Sequence, residues 1–387
     1  MKILITSIVD LKKTPHNRLH HFIKCLSQKN EITVLCINDW WKASKTNAQL
    51  YVQGSDDFFH NVEIRYYTNR KISPILQELF SFIAINRMMD LKQYDIHINY
   101  NTMLSGYYVS KKVSPTIFDV ADDLPEMVRL SPQVPLPLRP FGAMLSRVVF
   151  KSNIRNARKI TYITEPLKKS YDIDDSKAVL LPNGVDATHF QRKPPGEIKN
   201  KLNLGEEFVV GYVGVLREWV NMEPAIEAIS SLKGKGYKVK LVIVGEEGYL
   251  KETKAIVEKH GASDVVIFAG TVPYAEVPRY VSCMDVCLVP FTDDALSTNS
   301  LPLKLFEYMA CEKPVISSRL KGITNAVGDL VLYASTSDEY EEMILRLYED
   351  WSLRVSMGQA GRSFVMGNFD WKTIESKLQE TLHEVAG

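Results

Sequence analysis

Cysteine is scarce in this chain: Cys25, Cys36, Cys283, Cys287 and Cys311 are the only five in 387 residues. Their number is odd and no pair has zinc-site spacing. That excludes a disulfide scaffold and a zinc module, and leaves a reduced cytoplasmic protein as the simplest expectation. Long apolar runs are missing too, since none reaches the roughly 18–20 residues that a membrane span needs. The apolar opening, Met1 to Ser7, is too short for a signal peptide and reads as a buried strand. No charge sign dominates: 47 basic residues face 46 acidic ones, a net charge of +1. With no global field, and no basic stripe with interleaved aromatics, nothing points to a nucleic-acid partner. Low-complexity segments and solenoid repeats are also absent.

What is present is an alternation of short apolar runs and amphipathic segments. Strands are expected at Ile3–Ile5, Ile32–Ile37, Ile117–Val120, Lys159–Thr164, Val179–Leu181, Val209–Val213, Val239–Val244, Val265–Phe268, Val286–Pro290 and Val315–Ser317. Helical patterns occupy Leu19–Gln28, Glu223–Lys233, Tyr249–His260, Tyr274–Cys283, Pro302–Ala310 and Trp371–Val385. Continuous apolar strands separated by helices imply parallel sheets covered on both faces. The length suits two such domains. The series restarts near Glu207, after a polar stretch containing Pro194-Pro195-Gly196, so a linker and hinge are expected at Gln191–Gly205.

The pattern around Pro302 carries most of the chemistry. Thr298, Asn299 and Ser300 precede Pro302, and an apolar helical pattern follows, which reads as a helix with Pro at its first position. Such an end offers unpaired N–H groups and a positive dipole, suited to a diphosphate. Lys304 in the first turn adds a full charge, and Glu307 one turn on can accept from ribose hydroxyls. A plain capped core helix with a solvated lysine fits these residues equally well. The strand Val209–Val213 ends at Gly214, which lets the backbone approach a phosphate, with Arg217 close behind. Two further strands run into Gly245 and into Gly270-Thr271-Val272-Pro273.

These residues resemble the retaining GT-B glycosyltransferases of the family 4, glycosyltransferase group 1, type. Leu181-Pro182-Asn183-Gly184-Val185-Asp186, Asp285 to Phe291, Leu303-Lys304-Leu305-Phe306-Glu307-Tyr308-Met309-Ala310 with Lys313-Pro314-Val315, and Phe369-Asp370-Trp371 match its ordered motifs from about Ala157 onward. The donor motif is the Lys-x-x-Glu-Tyr variant. The resemblance implies two Rossmann-like doubly wound parallel-sheet domains facing across a cleft. Residues 1–190 would bind the acceptor, 191–365 the nucleotide sugar, and about 366–387 would form a helix returning to the first domain. It implies a metal-independent transfer of a sugar, with retention, from a nucleotide-diphosphate sugar (UDP ahead of GDP) to an acceptor hydroxyl, as in cell-surface polysaccharide or glycolipid synthesis. The expected donor-binding set is Gly214, Arg217, Gly245, Val272, Asn299, Ser300, Leu301, Leu303, Lys304 and Glu307. Glu307 takes the ribose role, and Asn299 stands where the family has a glutamate facing the sugar. Val215 and Val220 occupy positions where the family places arginine and lysine, with Arg217 and Lys304 as their substitutes. That departure keeps an inactive nucleotide-sugar binder as an alternative, with a GT-B sugar-nucleotide epimerase behind it.

Thr116 to Asp123 reads as a strand running into three carboxylates. Asp122 and Asp119 are the candidate catalytic groups, and Asp123 is either a third or simply the cap of Leu124-Pro125-Glu126. Arg18 is a candidate for acceptor binding, although solvated surface is the preferred reading. No acidic partner completes a metal site around His16, His20 and His21, and Asp172-Ile173-Asp174 reads as a turn. Arg139, Arg147, Lys151, Arg155, Arg158 and Lys159 interleave with Leu138, Phe141, Met144, Leu145, Val148, Val149 and Phe150. Such a helix either lies on an anionic membrane, which would suit a lipid-linked acceptor, or packs its apolar side on the sheet; the packing reading is preferred. Localisation is expected to be cytoplasmic, with or without membrane contact. The same two readings apply to Leu79–Met89.

Overall fold

The structure, a computed structural model, describes residues 1–14, 17–40, 61–131, 134–245 and 248–387. The chain divides into two compact units, Met1–Pro182 with Lys372–Gly387, and Asn183–Trp371.

The first unit holds seven parallel strands: β1 Lys2–Ser7, β2 Glu31–Cys36, β3 Val62–Tyr66, β4 Ile96–Tyr100, β5 Thr116–Val120, β6 Lys159–Tyr162 and β7 Ala178–Leu180. Their order is β3-β2-β1-β4-β5-β6-β7, with the topological switch between β1 and β4. β4 carries no apolar run and is absent from the expected strands. Its polar residues are satisfied inside the core: His97 shares hydrogen bonds with Thr6 (2.9 Å) and Thr116 (3.3 Å), and Asn99 donates to Asn153 at 3.1 Å. Burial pushes the His97 imidazole down to about 3, so it sits neutral at the sheet centre.

The second unit holds six parallel strands: β8 Phe208–Val213, β9 Val239–Val244, β10 Val266–Gly270, β11 Val286–Val289, β12 Val315–Ser317 and β13 Leu332–Tyr333. Their order is β10-β9-β8-β11-β12-β13, again with a switch beside the first strand. Val210, Leu241, Ile243, Val286 and Leu288 pack with Ile226 and Ile229 of the Glu223–Gly234 helix to form its core. Two doubly wound parallel sheets are therefore the architecture, the fold class expected from the strand–helix alternation.

The units join in sequence at Pro182/Asn183 and Trp371/Lys372. The expected seams were 190/191 and 365/366. Residues 183–190 are tied to the second unit: Val185 N donates to Phe369 O at 2.8 Å, and His189 stacks on Tyr274 at 4.8 Å. The Gln191–Gly205 stretch is therefore not a bare linker. It contains a short helix, Gly196–Lys201, that buries Ile198. The C-terminal helix, Trp371–Ala386, lies largely in the first unit, where Glu384 meets Lys159 at 2.6 Å and Gln379 meets Cys25 at 3.2 Å. All five cysteines are unpaired and buried.

Candidate active site

The helix that carries Lys304 and Glu307 runs Leu303–Ala310. Pro302 is its N-cap, with φ −72° and ψ 135°, and not its first helical residue. The polar residues before it belong elsewhere: Ala295–Thr298 is a separate turn of helix capped by Asp294, and Asn299 ends it. No side chain caps the Leu303–Ala310 helix, so its leading N–H groups keep their capacity to bind an anion. The loop before it is fixed from a distance, because Asn183 Nδ2 donates to Leu301 O at 2.7 Å. Leu301 itself is buried, Ser300 turns its hydroxyl back to Ser297 O, and Leu303, Asn299 and Val272 are half-buried.

Lys304 reaches from this helix to the end of β8. Its Nζ donates to the Tyr212 hydroxyl at 2.6 Å and lies 3.9 Å from the centre of the Tyr212 ring. Tyr212 passes the bond on to Val215 O at 2.9 Å. Tyr308, one helical turn beyond Lys304, clasps the same strand end by accepting from Val213 N at 2.8 Å. Gly214 has φ +133°, and a β-carbon there would sit 2.7 Å from Lys304 Nζ. At Gly245, φ +132°, a β-carbon would meet Gly214 O at 2.3 Å. Two backbone turns thus approach each other and the lysine at the carboxyl ends of β8 and β9, beside the sheet's switch point, where open α/β sheets bind ligands.

Burial pushes Lys304 down to about 7, against the pull of Glu307 and assisted by Arg217. Burial pushes Glu307 up to about 7, with Lys304 opposing. Neither side chain is fully enclosed. The Glu307 carboxylate makes no hydrogen bond or ion pair among the described residues, which leaves an acceptor open one turn into the helix. Arg217 is exposed, and its guanidinium has no partner among the described residues. The ten expected donor-binding residues therefore all lie in the second unit, around one helix start and the ends of β8, β9 and β10.

Asp119, Asp122 and Arg18 lie in the first unit. Arg18 is not surface: it is 2% exposed and Asp119 is 1% exposed. Arg18 Nε and Nη2 donate to the two Asp119 oxygens at 3.0 and 2.8 Å, Nη1 donates to Pro182 O at 2.7 Å, and Thr161 also donates to Asp119. The surface reading of Arg18 failed because the carboxylate that compensates its charge lies 101 residues away. Asp119 spends both oxygens on this pair. Asp123 accepts from Glu126 N at 3.2 Å and from the Tyr171 hydroxyl, so it is the helix cap.

Asp122 differs from both neighbours. One side of it meets solvent. Crowding by protein, then the negative charge of Asp119, push its carboxyl up to about 7 against the pull of Arg18, with Asp123 adding to the rise. Asn101, buried and at φ +52°, grips the Asp122 peptide. In the amide orientation that satisfies both groups, it donates to Asp122 O at 3.2 Å and accepts from Asp122 N at 3.3 Å. Asn101 and Tyr212 carry no role in the sequence reading, and Asn183 and Tyr308 stand there in quoted motifs without one.

His16 lies outside the described residues. His20 closes the Arg18–Leu26 helix start with Asn17 and bonds Leu11 O at 3.0 Å. Asp174 accepts from Ser176 N at 2.8 Å in a turn. Among the described residues no group of three His, Cys, Asp or Glu is placed to hold a metal, and no helix is long and apolar enough to cross a membrane.

The packing reading of the Arg139–Asn156 helix holds only in part: Phe150 is buried against Phe118 of β5 at 5.0 Å, but most of the apolar side is not. Its buried residues are Ser146, Phe150 and Asn153, while Phe141, Met144, Leu145 and Val148 are exposed. Beside Phe150 the helix turns Ser146 and Asn153 inward, and Asn153 bonds Asn99 and Met103 O there.

Residues 196–364 match the family model of glycosyl transferases group 1. A GDP-mannose-dependent alpha-(1-6)-phosphatidylinositol monomannoside mannosyltransferase of Mycobacterium tuberculosis is 28% identical over 210 residues, 52% of this chain and 54% of that protein. The capsular polysaccharide biosynthesis glycosyltransferase CapM of Staphylococcus aureus is 26% identical over 218 residues, 53% of this chain and 55% of that protein. The matches span about half the length of these curated relatives. Among solved structures, HepE of Anabaena, crystallised with UDP and glucose, superposes with a TM-score of 0.77 at 19% identity, covering 99% of this chain and 100% of that one. Sucrose-phosphate synthase of Thermosynechococcus elongatus gives 0.74 at 17% identity, covering 99% and 98%. The two-sheet fold is thus shared along the whole chain, and within the second unit residues 196–364 are similar in sequence to the glycosyl transferases group 1 family.

Proposed function

We propose that this protein is a glycosyltransferase that moves a sugar from a nucleotide-diphosphate sugar to an acceptor hydroxyl. The observation that carries this reading is the Lys304–Gly214 approach beneath an uncapped helix start. A cation, free N–H groups and close backbone meet there, and that combination recognises a diphosphate. Glu307, with its open carboxylate, takes the ribose hydroxyls. Asn299 and Ser300 take the sugar, and Val272 lies beside the base. As the bond to the sugar breaks, charge builds on the departing phosphate, and Lys304, Arg217 and the helix start stabilise it. Departure and attack on one face of the sugar give retention.

Asp122 is the acceptor-side base. A carboxyl raised to about 7 is matched to taking a hydroxyl proton near neutrality. Asp119, held by Arg18, acts as its charged neighbour and not as the base. UDP is placed ahead of GDP as the nucleotide, and no metal ion is assigned a role. The HepE complex with UDP and glucose supports UDP, while the mannosyltransferase relative, named for GDP-mannose, makes GDP the competitor to test.

The test is a thermal-shift series with UDP, GDP, ADP and CDP on the wild type and on Lys304→Ala/Glu307→Ala. Selective stabilisation by one nucleotide, lost in the double variant, is expected. Equal stabilisation of both proteins by the same nucleotide overturns the site. Nucleotide binding without donor turnover across an acceptor screen would favour the inactive-binder reading that Val215 and Val220 keep open.

A further inference from the structure

Two helical segments of the first unit are built inside out. In Pro74–Leu79 the buried residues are Gln77 and Glu78, while Ile75, Leu76 and Leu79 are exposed; Phe80, just beyond, is 54% exposed. The next helix, Ser81–Met88, exposes Phe82, Ile83 and Met88. The Arg139–Asn156 helix buries Ser146, Phe150 and Asn153 and exposes Phe141, Met144, Leu145 and Val148, after Leu136 and Leu138 at 72% and 56% exposure. Positions 138, 141, 145 and 148 form one helical stripe, and Lys151 and Arg155 continue its line over the next two turns.

The two segments share a neighbourhood. Both flank the Leu104–Ser110 helix: Phe82 meets Tyr108 at 6.3 Å, and Asn153 Nδ2 donates to Met103 O at 3.0 Å. The connections β3–β4, β4–β5 and β5–β6 all step the same way along the sheet, so right-handed crossovers put all three helices on one face. Cations dominate the rim of that face, although one of them, Lys151, also meets the exposed Asp172 at 3.7 Å. Arg70, Lys71 and Arg87 border the first segment, Lys111 and Lys112 end the middle helix, and Arg147, Lys151, Arg155 and Arg158 serve the third. Between Asn69 and Met89 the only acid is Glu78, turned inward to bond Ser105 and Met103 N. Between Val134 and Arg158 there is none.

We infer that this face of the first unit docks on an anionic phospholipid bilayer. The exposed Leu, Phe, Met and Val side chains enter the headgroup–acyl boundary while the cations at the rim meet lipid phosphates. A second copy of the chain fits worse, because a two-fold contact would press cations on cations. The surface lies wholly in the first unit, so the inference stands apart from the nucleotide site.

The test is co-sedimentation of the full chain with vesicles of phosphatidylcholine, alone or mixed with phosphatidylglycerol. Binding to the anionic vesicles only, weakened by salt, is expected. Phe141→Asp/Val148→Asp and Lys151→Glu/Arg155→Glu should each lower it about tenfold or more. Both variants alter exposed or half-exposed side chains, and an unchanged thermal midpoint with an intact nucleotide shift certifies their folding. Equal binding to neutral and anionic vesicles, no binding to either, or binding untouched by both variants overturns the inference. So does a concentration-dependent dimer in sedimentation velocity that the variants turn monomeric.

Discussion

The Lys304 ammonium occupies ground that a β-carbon on Gly214 would claim, 2.7 Å from that position, with Lys304 Cε at 3.3 Å. A side chain at 214 therefore collides with the cation first and with the fold second. Gly214→Ala should cost about 1–3 kcal/mol of stability through its positive φ. It should also weaken binding of the nucleotide about tenfold by displacing Lys304. Calorimetric titration of Gly214→Ala, Lys304→Ala and the double variant checks this. In the double variant the glycine change should add little further loss, because its target is gone.

Nucleotide affinity should fall as pH rises through about 7. Below that value Lys304 is protonated; above it Lys304 loses the charge that pairs with a diphosphate. Binding therefore takes up protons. Titration calorimetry from pH 6 to 9 in buffers of different ionisation enthalpy measures that uptake. Lys304→Met should flatten most of the slope.

Glu307 should cost the free protein stability at alkaline pH. Its folded carboxyl is raised to about 7 from an ordinary 4.5, so the native state holds the proton more tightly. The associated stability is fully present below about 4.5 and is lost as pH rises through about 7. Glu307→Gln should accordingly raise stability at pH 8 by about 1–2 kcal/mol while lowering nucleotide affinity. Urea melts at pH 5 and pH 8 separate the two effects, because the gain should vanish at the lower pH.

The Arg18–Asp119 pair should behave as a buried charge pair whose halves are costly to separate. Arg18→Met or Asp119→Asn alone should destabilise the protein by about 3–5 kcal/mol. The paired apolar replacement Arg18→Met/Asp119→Leu should recover much of that loss. A double-mutant cycle by denaturant unfolding reads the coupling directly.

Asp122 should govern the acid side of the transferase rate. A base raised to about 7 is active only when deprotonated, so kcat/KM should climb through about 7 as pH rises. Loss of Lys304 charge then turns the profile downward, giving a bell. Asp122→Asn should remove the rising limb and about 100-fold or more of the rate. Asn101→Ala, which releases the Asp122 peptide, should lower kcat and leave nucleotide binding intact.

Much of the second unit is legible in the sequence because its strands are buried on both faces and therefore uniformly apolar. Val209–Val213 and Val239–Val244 stand out for that reason. The helix carrying Lys304 and Glu307 is equally legible, since a proline break and an i, i+3 spacing are local properties. β4 escapes because Ile96–Tyr100 carries His and Asn, and their hydrogen-bond partners come from three other segments. Arg18 was misplaced for the same reason.

The order of apolar and polar residues along the chain fixed the strand–helix alternation, the two parallel sheets and the placement of Lys304 and Glu307 at a helix start. Those rest on short-range periodicity and backbone chemistry. Only the tertiary structure decided which charges are compensated and which remain open: Asp119 is consumed by Arg18, Asp122 is left to solvent, and the Arg139–Asn156 helix turns most of its apolar residues outward. Compensation and burial depend on partners tens to hundreds of residues away, and local pattern carries no record of them.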